Sequence, residues 1–265
     1  MDVAGKVVVV TGGANGIGQA LCETFHRAGA AKVVVADLDH ARAEAVAKDV
    51  GGAAFKCDVA QEKDIRHLIE ETEKLYGPIG LFCSNAGIGG GFDPMMENVG
   101  GSSDEPWARS WAIHVMAHVY AARHLVPRMK VRGGGYFLNT ISAAGLLSQV
   151  GSAPYSTTKH AAVGFAESLA IAHKAHGIRV SILCPQGVET NMLRGLPKGP
   201  QSGDGNLSAE QVAQDALNGI QQETFLILPH RQVLGYMRKK TDNYDRWIGG
   251  MAKIQAKMRE DLGKA

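Results

Sequence analysis

The chain has 265 residues, 45% of them hydrophobic and 20% charged, which is enough to bury a sizeable core and too apolar for disorder as the main state. A formal net charge of +2 gives no general attraction to nucleic acid or to an anionic membrane, so neither is expected as a partner. No apolar run approaches the roughly 20 residues a membrane-crossing helix needs.

The first residues, Met1 to Lys6, lack the basic start and long apolar stretch of a secretory signal. The four cysteines, Cys22, Cys57, Cys83 and Cys184, are widely spaced and form no CxxC pair. A reduced, cytoplasmic protein without disulfides or structural zinc is therefore expected.

In chain order, β-branched runs at residues 7–11, 32–36, 53–57, 79–84, 136–140, 179–184 and 225–228 read as strands. Several are apolar almost throughout, as in strands covered on both faces. Helical spacing fills the intervals: residues 17–28 with Ile17, Leu21 and Phe25 on one face, then 41–50 and 65–76. A long helix is expected over 107–129, ended by Pro127, and another over 154–176, with Gly177 just past it as a C-cap. Strand–helix alternation of this kind predicts an α/β protein: one doubly wound parallel sheet of about seven strands with helices on both faces. A single domain over 1–265 holds it, with a cofactor half at about 1–145, a catalytic and substrate half at about 146–230 and a helical extension at about 231–265. Two long Gly-rich loops, 87–106 and 195–208, follow strands on the carboxyl side of the sheet, where open α/β sheets bind ligands.

The first strand runs into Thr11-Gly12-Gly13-Ala14-Asn15-Gly16-Ile17-Gly18 and then a helix. Glycine permits a sharp turn and close approach to a ligand, and a helix N-terminus offers unpaired N–H groups to a pyrophosphate. The spacing differs from G-x-G-x-x-G and from the P-loop. It resembles the cofactor loop of the short-chain dehydrogenase/reductase family, in its single-domain branch with TGxxxGxG and YxxxK motifs. The resemblance implies a Rossmann-type domain, a nicotinamide cofactor and loop contacts from Gly12, Asn15, Gly16, Ile17 and Gly18. Asp37 ends the second strand, 19 residues after Gly18. A carboxylate there accepts hydrogen bonds from the adenosine ribose and repels a 2′-phosphate. No Arg or Lys stands at 13–17 or 38–39 to counter it, so NAD is expected over NADP. Asp58-Val59 resembles the family's adenine-contacting pair, although Asp58 can equally cap a helix starting near Gln61.

Tyr155 and Lys159 are spaced i, i+4 on one helix face. A phenol with a pKa of about 10 is a poor base near neutrality. A nearby ammonium, together with the positive nicotinamide of an oxidised cofactor, favours phenolate and makes it a usable general acid/base. Ser142 precedes Tyr155 by 13 residues and can hydrogen-bond a substrate oxygen. In the family a serine at this separation completes a Ser–Tyr–Lys set. Asn85-Ala86-Gly87 resembles the family element that packs against the cofactor. Pro185-Gln186-Gly187-Val188-Glu189-Thr190 resembles the segment that contacts the nicotinamide carboxamide, with Gln186 where a Gly is usual.

His114 stands where the family usually has an Asn that holds a proton-relay water; it either holds that water or fills space. His114 and His118 are also i, i+4, but without an intervening Glu or a third ligand no metal site is expected. Met95, Met96, Trp107, Met192 and Leu193 suggest an apolar wall, with Arg194 and Lys198 as the nearby bases. The substrate reads as a secondary alcohol or ketone on a lipid-like, cyclic or aromatic skeleton. Tyr244, Trp247, Ile248, Met251, Ile254, Met258 and Leu262 form a helical stripe softened by Gly249-Gly250, to pack on the sheet domain, the active-site rim or a second subunit. Family resemblance makes a homodimer or homotetramer the expected assembly. The leading function is an NAD-dependent alcohol dehydrogenase or ketone reductase. The alternatives are an NADP-dependent ketoacyl or polyketide reductase and a non-catalytic NAD-binding protein.

Overall fold

Val7–Thr11 is buried along its whole length and forms β1. Successive side chains point to opposite faces, so Val8 and Val10 enter one core cluster while Val7 and Val9 enter another. A strand covered on both sides has no polar face, which is why Val7 to Val10 are all apolar. The computed structural model describes residues 1–91, 93, 97–193, 199 and 202–263.

Six further strands follow among these residues: β2 (Lys32–Asp37), β3 (Ala53–Lys56), β4 (Ile79–Ser84), β5 (Gly135–Thr140), β6 (Ile178–Leu183) and β7 (Leu226–Ile227). They pair in parallel in the order β3-β2-β1-β4-β5-β6-β7. The direction of winding reverses between β1 and β4, the switch point at which such sheets hold a ligand.

The helices are α1 (Gly16–Arg27), α2 (His40–Asp49), α3 (Glu62–Tyr76), α4 (Asp104–Trp111), α5 (Ala117–Val131), α6 (Ala153–His173), α7 (Ala209–Gln221), α8 (Gln232–Asp242) and α9 (Tyr244–Leu262). One core cluster gathers Leu21 and Phe25 of α1, Val46 of α2 and Val212 and Ile220 of α7. The other gathers Ile65 and Leu68 of α3, Leu125 and Met129 of α5 and Ala162 and Ala166 of α6. Each large aliphatic or aromatic side chain so buried contributes about 1.5–3 kcal/mol. The sheet is thus covered on both faces, as the alternation of periods predicts.

Three expectations need correction. Pro127 does not end the long helix: it sits inside α5, which continues to Val131. A proline there costs about 3 kcal/mol, but Leu125 and Met129 on either side of it are fully buried and hold the last turns on the sheet. Between α4 and α5 the helix widens into one π-helical turn, Ala112–Met116, which carries His114. The C-terminal extension is two helices, not one softened helix. The break falls at Asn243, whose Oδ1 accepts the Arg246 N–H at 2.8 Å and caps α9, while Gly249 and Gly250 stay helical. Among the described residues no helix is long and apolar enough to cross a membrane.

Candidate active site

The loops after β1 and β4 are clamped together at the switch point. The Thr11 Oγ1 accepts the backbone N–H of Asn85 at 3.0 Å and of Ala86 at 3.3 Å. In return the Asn85 side-chain amide donates to the carbonyls of Thr11 (3.1 Å) and Gly12 (3.3 Å). The turn between them requires glycine. Gly12 has φ +64, and a Cβ on it would stand 2.7 Å from the Ala86 Cα. A Cβ on Gly18 would stand 1.9 Å from the Gly12 carbonyl oxygen. Asn15 at the N-cap makes no side-chain bond to the first turn of α1, so that cap does not compete for the turn's N–H groups. The result is an anion cradle at a helix N-terminus.

Asp37 closes the cradle on the β2 side. Its Oδ2 accepts the Ala14 N–H and its Oδ1 the Asp39 N–H, both at 3.0 Å, and each oxygen retains capacity for a further donor. Arg42, three residues beyond Asp39, turns its guanidinium toward the Asp39 carboxylate at 4.0 Å. Asp58 does not cap α3. Its Oδ1 accepts the Ala60 N–H at 3.0 Å, and its own N–H is held by Asp64 at 3.1 Å.

From this cradle a cavity of about 1660 Å³ runs across the carboxyl ends of the strands. Pockets for one small ligand occupy roughly 300–1,000 Å³, so there is room for a cofactor and a second molecule. Every catalytic and cofactor-binding residue named from the sequence lines it except Gly187 and His114, and Trp107 of the expected apolar wall does not line it either. The Gly187 carbonyl instead accepts the Leu207 N–H at 3.1 Å. Thr190 faces the cradle from the opposite wall, its Cγ2 2.9 Å from where a Cβ on Gly16 would lie. Gln186 lines the cavity, and its buried Oε1 has no hydrogen-bond partner among the described residues. Met192 and Leu193 also line it. Met95, Met96, Arg194 and Lys198 lie outside the described residues.

Tyr155 and Lys159 project from the first turns of α6, and Ser142 from the end of β5. The Lys159 Nζ stands 5.6 Å from the Tyr155 ring centroid and donates to the Thr140 carbonyl at 3.4 Å. Burial lowers the Lys159 pKa to about 8. Burial raises Tyr155 above the ordinary phenol value, and the Ser142 hydroxyl partly opposes it. Ser142 Oγ accepts the Ala144 N–H at 3.1 Å and reaches the Pro185 carbonyl at 3.5 Å.

His114 lies behind this face, fully buried, its ring edge-on to Tyr155 with centroids 5.4 Å apart. Its Nε2 accepts the Ile88 N–H at 3.1 Å, so the proton of the neutral ring sits on Nδ1. Nδ1 donates to Thr158 Oγ1 at 2.9 Å, and the Thr158 hydroxyl in turn donates to the Pro154 carbonyl at 2.7 Å. Neither ring nitrogen is left to hold a water. Burial, with the Lys159 charge second, lowers the His114 pKa to about 2. Sequence reasoning gave Thr158 no role, because its partner lies 44 residues away in the chain; Thr11 heads the glycine motif, but its clamp on the loop after β4 spans 74 residues and is not legible from spacing. Among the described residues no group of three or more His, Cys, Asp or Glu is placed to hold a metal ion.

Comparison with known proteins places this arrangement. Residues 6–201 match the family described as short chain dehydrogenase. The chain is 33% identical over 256 residues to the 1-deoxy-11-beta-hydroxypentalenate dehydrogenase of Streptomyces exfoliatus, covering 94% of this chain and 91% of that one. It is 37% identical over 196 residues to the 2,5-dichloro-2,5-cyclohexadiene-1,4-diol dehydrogenase of Sphingobium indicum, covering 73% and 76%. Among solved structures, a short chain dehydrogenase/reductase from Burkholderia phymatum in complex with NAD superposes with a TM-score of 0.81 at 27% identity, covering 92% of this chain and 96% of that one.

Proposed function

The chain belongs to the short-chain dehydrogenase/reductase family and is an oxidoreductase acting on CH–OH groups, and from that premise we propose that it oxidises an apolar, cyclic secondary alcohol with NAD, or reduces the corresponding ketone with NADH. The observation that carries the reading is one continuous cavity joining the glycine cradle and Asp37 to Ser142, Tyr155 and Lys159. The dinucleotide would be held by the Gly12–Gly18 loop at its pyrophosphate, by Asp37 at its adenosine ribose and by Val188 and Thr190 at its nicotinamide end. When bound, it supplies the hydride acceptor or donor.

The chain's own groups handle the proton and the oxygen. Ser142 donates a hydrogen bond to the substrate oxygen. Tyr155 exchanges the hydroxyl proton at its phenol oxygen. Lys159 holds positive charge beside the ring; at a pKa of about 8 it stays mostly protonated near neutral pH. His114 is a positioning residue. Through Ile88 and Thr158 it ties the loop beside Lys159 to the turn that bears Tyr155.

NAD rather than NADP is supported by the Asp37 carboxylate in the cavity wall and by Arg42, which does not line the cavity and lies on the Asp39 side. NAD in the Burkholderia phymatum structure is in keeping with it. Names of relatives that act on cyclic alcohols support the substrate class. The test is a panel of cyclic and open-chain secondary alcohols, followed by NADH absorbance, with NAD and NADP titrated separately. Reduction of NAD by a cyclic alcohol is the expected result. Saturation by NADP well below NAD would overturn the assignment of Asp37.

A further inference from the structure

The C-terminal stripe does not join either core cluster under the sheet. Trp247, Met251, Ile254 and Met258 recur at helical spacing, and this face of α9 lines the cavity instead. Tyr244 at the start of the helix and Ile248 at the margin of the stripe do not line the cavity, and each is more than half exposed. What α9 covers is the segment just after Ser142. Met251 and Met258 pack on Val150, while Trp247 joins Ala143, Leu147 and Val233 of α8.

The placement is fixed by polar ties. The Lys240 ammonium on α8 donates to the carbonyls of Leu146 at 2.8 Å and Leu147 at 2.9 Å. It also donates to His160 Nε2 at 3.3 Å; the His160 Nδ1–H is committed to the Ser156 carbonyl, so Nε2 is free to accept. One side chain thus ties the C-terminal helices to both the Ser142 segment and the helix of Tyr155. At the far end Arg259 reaches Glu97 at 3.9 Å.

We propose that α9 is a wall of the substrate pocket, with Trp247, Met251 and Ile254 contacting the apolar skeleton of a bulky, fused-ring secondary alcohol whose hydroxyl reaches Ser142 and Tyr155. The inference rests on the reading of this cleft as the site of alcohol oxidation. An indole, a thioether and a branched aliphatic side chain make an apolar surface that adapts to irregular skeletons. A small hydrophilic alcohol would leave that surface in water.

The experiment compares binding of decahydro-2-naphthol and cyclohexanol by calorimetry to protein saturated with NADH, and then turnover of both with NAD. Wild type binds the fused-ring alcohol more tightly. Trp247→Ala and Met251→Ala each cut that preference about five- to tenfold, as expected for removing apolar contact area. Ile248→Ala, at the margin of the stripe and outside the cavity lining, keeps it. Far-UV circular dichroism checks that α9 persists in each variant. The wall is overturned if wild type shows no preference, or if both inward variants retain it with the helix intact. A preference that the inward variants abolish, without NAD reduction by either alcohol, sinks the proposed reaction and leaves the wall standing.

Discussion

His114 and His118 sit one turn apart in the helix that crosses behind the active site, 0% and 3% exposed. Burial, reinforced by the Lys159 charge, lowers their pKa values to about 2 and about 3. In the unfolded chain each titrates near 6.5. Folded values below unfolded ones mean that, as pH falls through 6.5, the unfolded state takes up protons the fold refuses. The stability held by the neutral rings is therefore complete above about pH 7.5 and is lost progressively toward acid, at about 1.4 kcal/mol per pH unit per group once well below 6.5. Between about pH 7.5 and pH 5.5 the loss integrates to about 1.4 kcal/mol for each histidine, or about 2.7 kcal/mol for the pair. The result is insensitive to the exact folded values, because a site that protonates at 2 or at 4 is equally neutral at pH 5.5.

The measurement is urea unfolding, followed by far-UV circular dichroism, at both pH values for wild type, His114→Asn, His118→Leu and the double variant. Each single variant should lose about 1.4 kcal/mol less than wild type over the interval, and the double variant about 2.7 kcal/mol less. The comparison is of pH slopes, so packing changes that shift stability equally at both pH values cancel. Equal slopes in all four proteins would refute the claim that these rings are held neutral. They would also reopen proton transfer through His114, which the geometry now closes because Ile88 and Thr158 occupy both its nitrogens.

Three further outcomes are expected. Tyr155→Phe lowers kcat for alcohol oxidation by about 10²- to 10⁴-fold, the usual value of a positioned acid/base, while NADH affinity measured by fluorescence titration changes less than about threefold. Gly18→Ala drives a methyl group to within 1.9 Å of the Gly12 carbonyl oxygen, so NADH binding should weaken by at least about tenfold while circular dichroism reports a folded protein. Asp37→Ser removes the carboxylate that would oppose a 2′-phosphate; the ratio of kcat/KM for NADP over NAD should rise about tenfold or more, and an unchanged ratio would remove Asp37 from cofactor choice.

What the sequence disclosed and what it concealed divide along a physical line. Features set by neighbours in the chain were legible. The largely apolar runs of β1 and β4 report burial on two faces, and the glycine spacing reports a turn that no Cβ can enter. The i, i+4 pair of Tyr155 and Lys159 reports a shared helix face. Features set by contacts across the fold were not. Pro127 carries a strong local stop signal, and only the burial of Leu125 and Met129 against the sheet overrides it. The π-helical turn at Ala112–Met116 leaves no mark in the periodicity, yet it belongs to the stretch that sets His114 against Thr158 and Ile88.

The same division explains how a histidine can stand where the family resemblance leads one to expect an asparagine. The sequence shows an imidazole, the side chain most readily poised for proton transfer near neutral pH. That property belongs to an imidazole in water. Enclosed between two helices, with a backbone N–H aimed at one nitrogen and a hydroxyl at the other, the ring cannot take up a proton near neutral pH and becomes a spacer of fixed length between Ile88 and Thr158. A residue's chemistry is thus read from its type, but its availability is read only from its partners. Tyr155 makes the same point in the opposite sense: its burial raises the phenol pKa, so the residue that must move a proton depends on charge brought beside it rather than on its place in the chain.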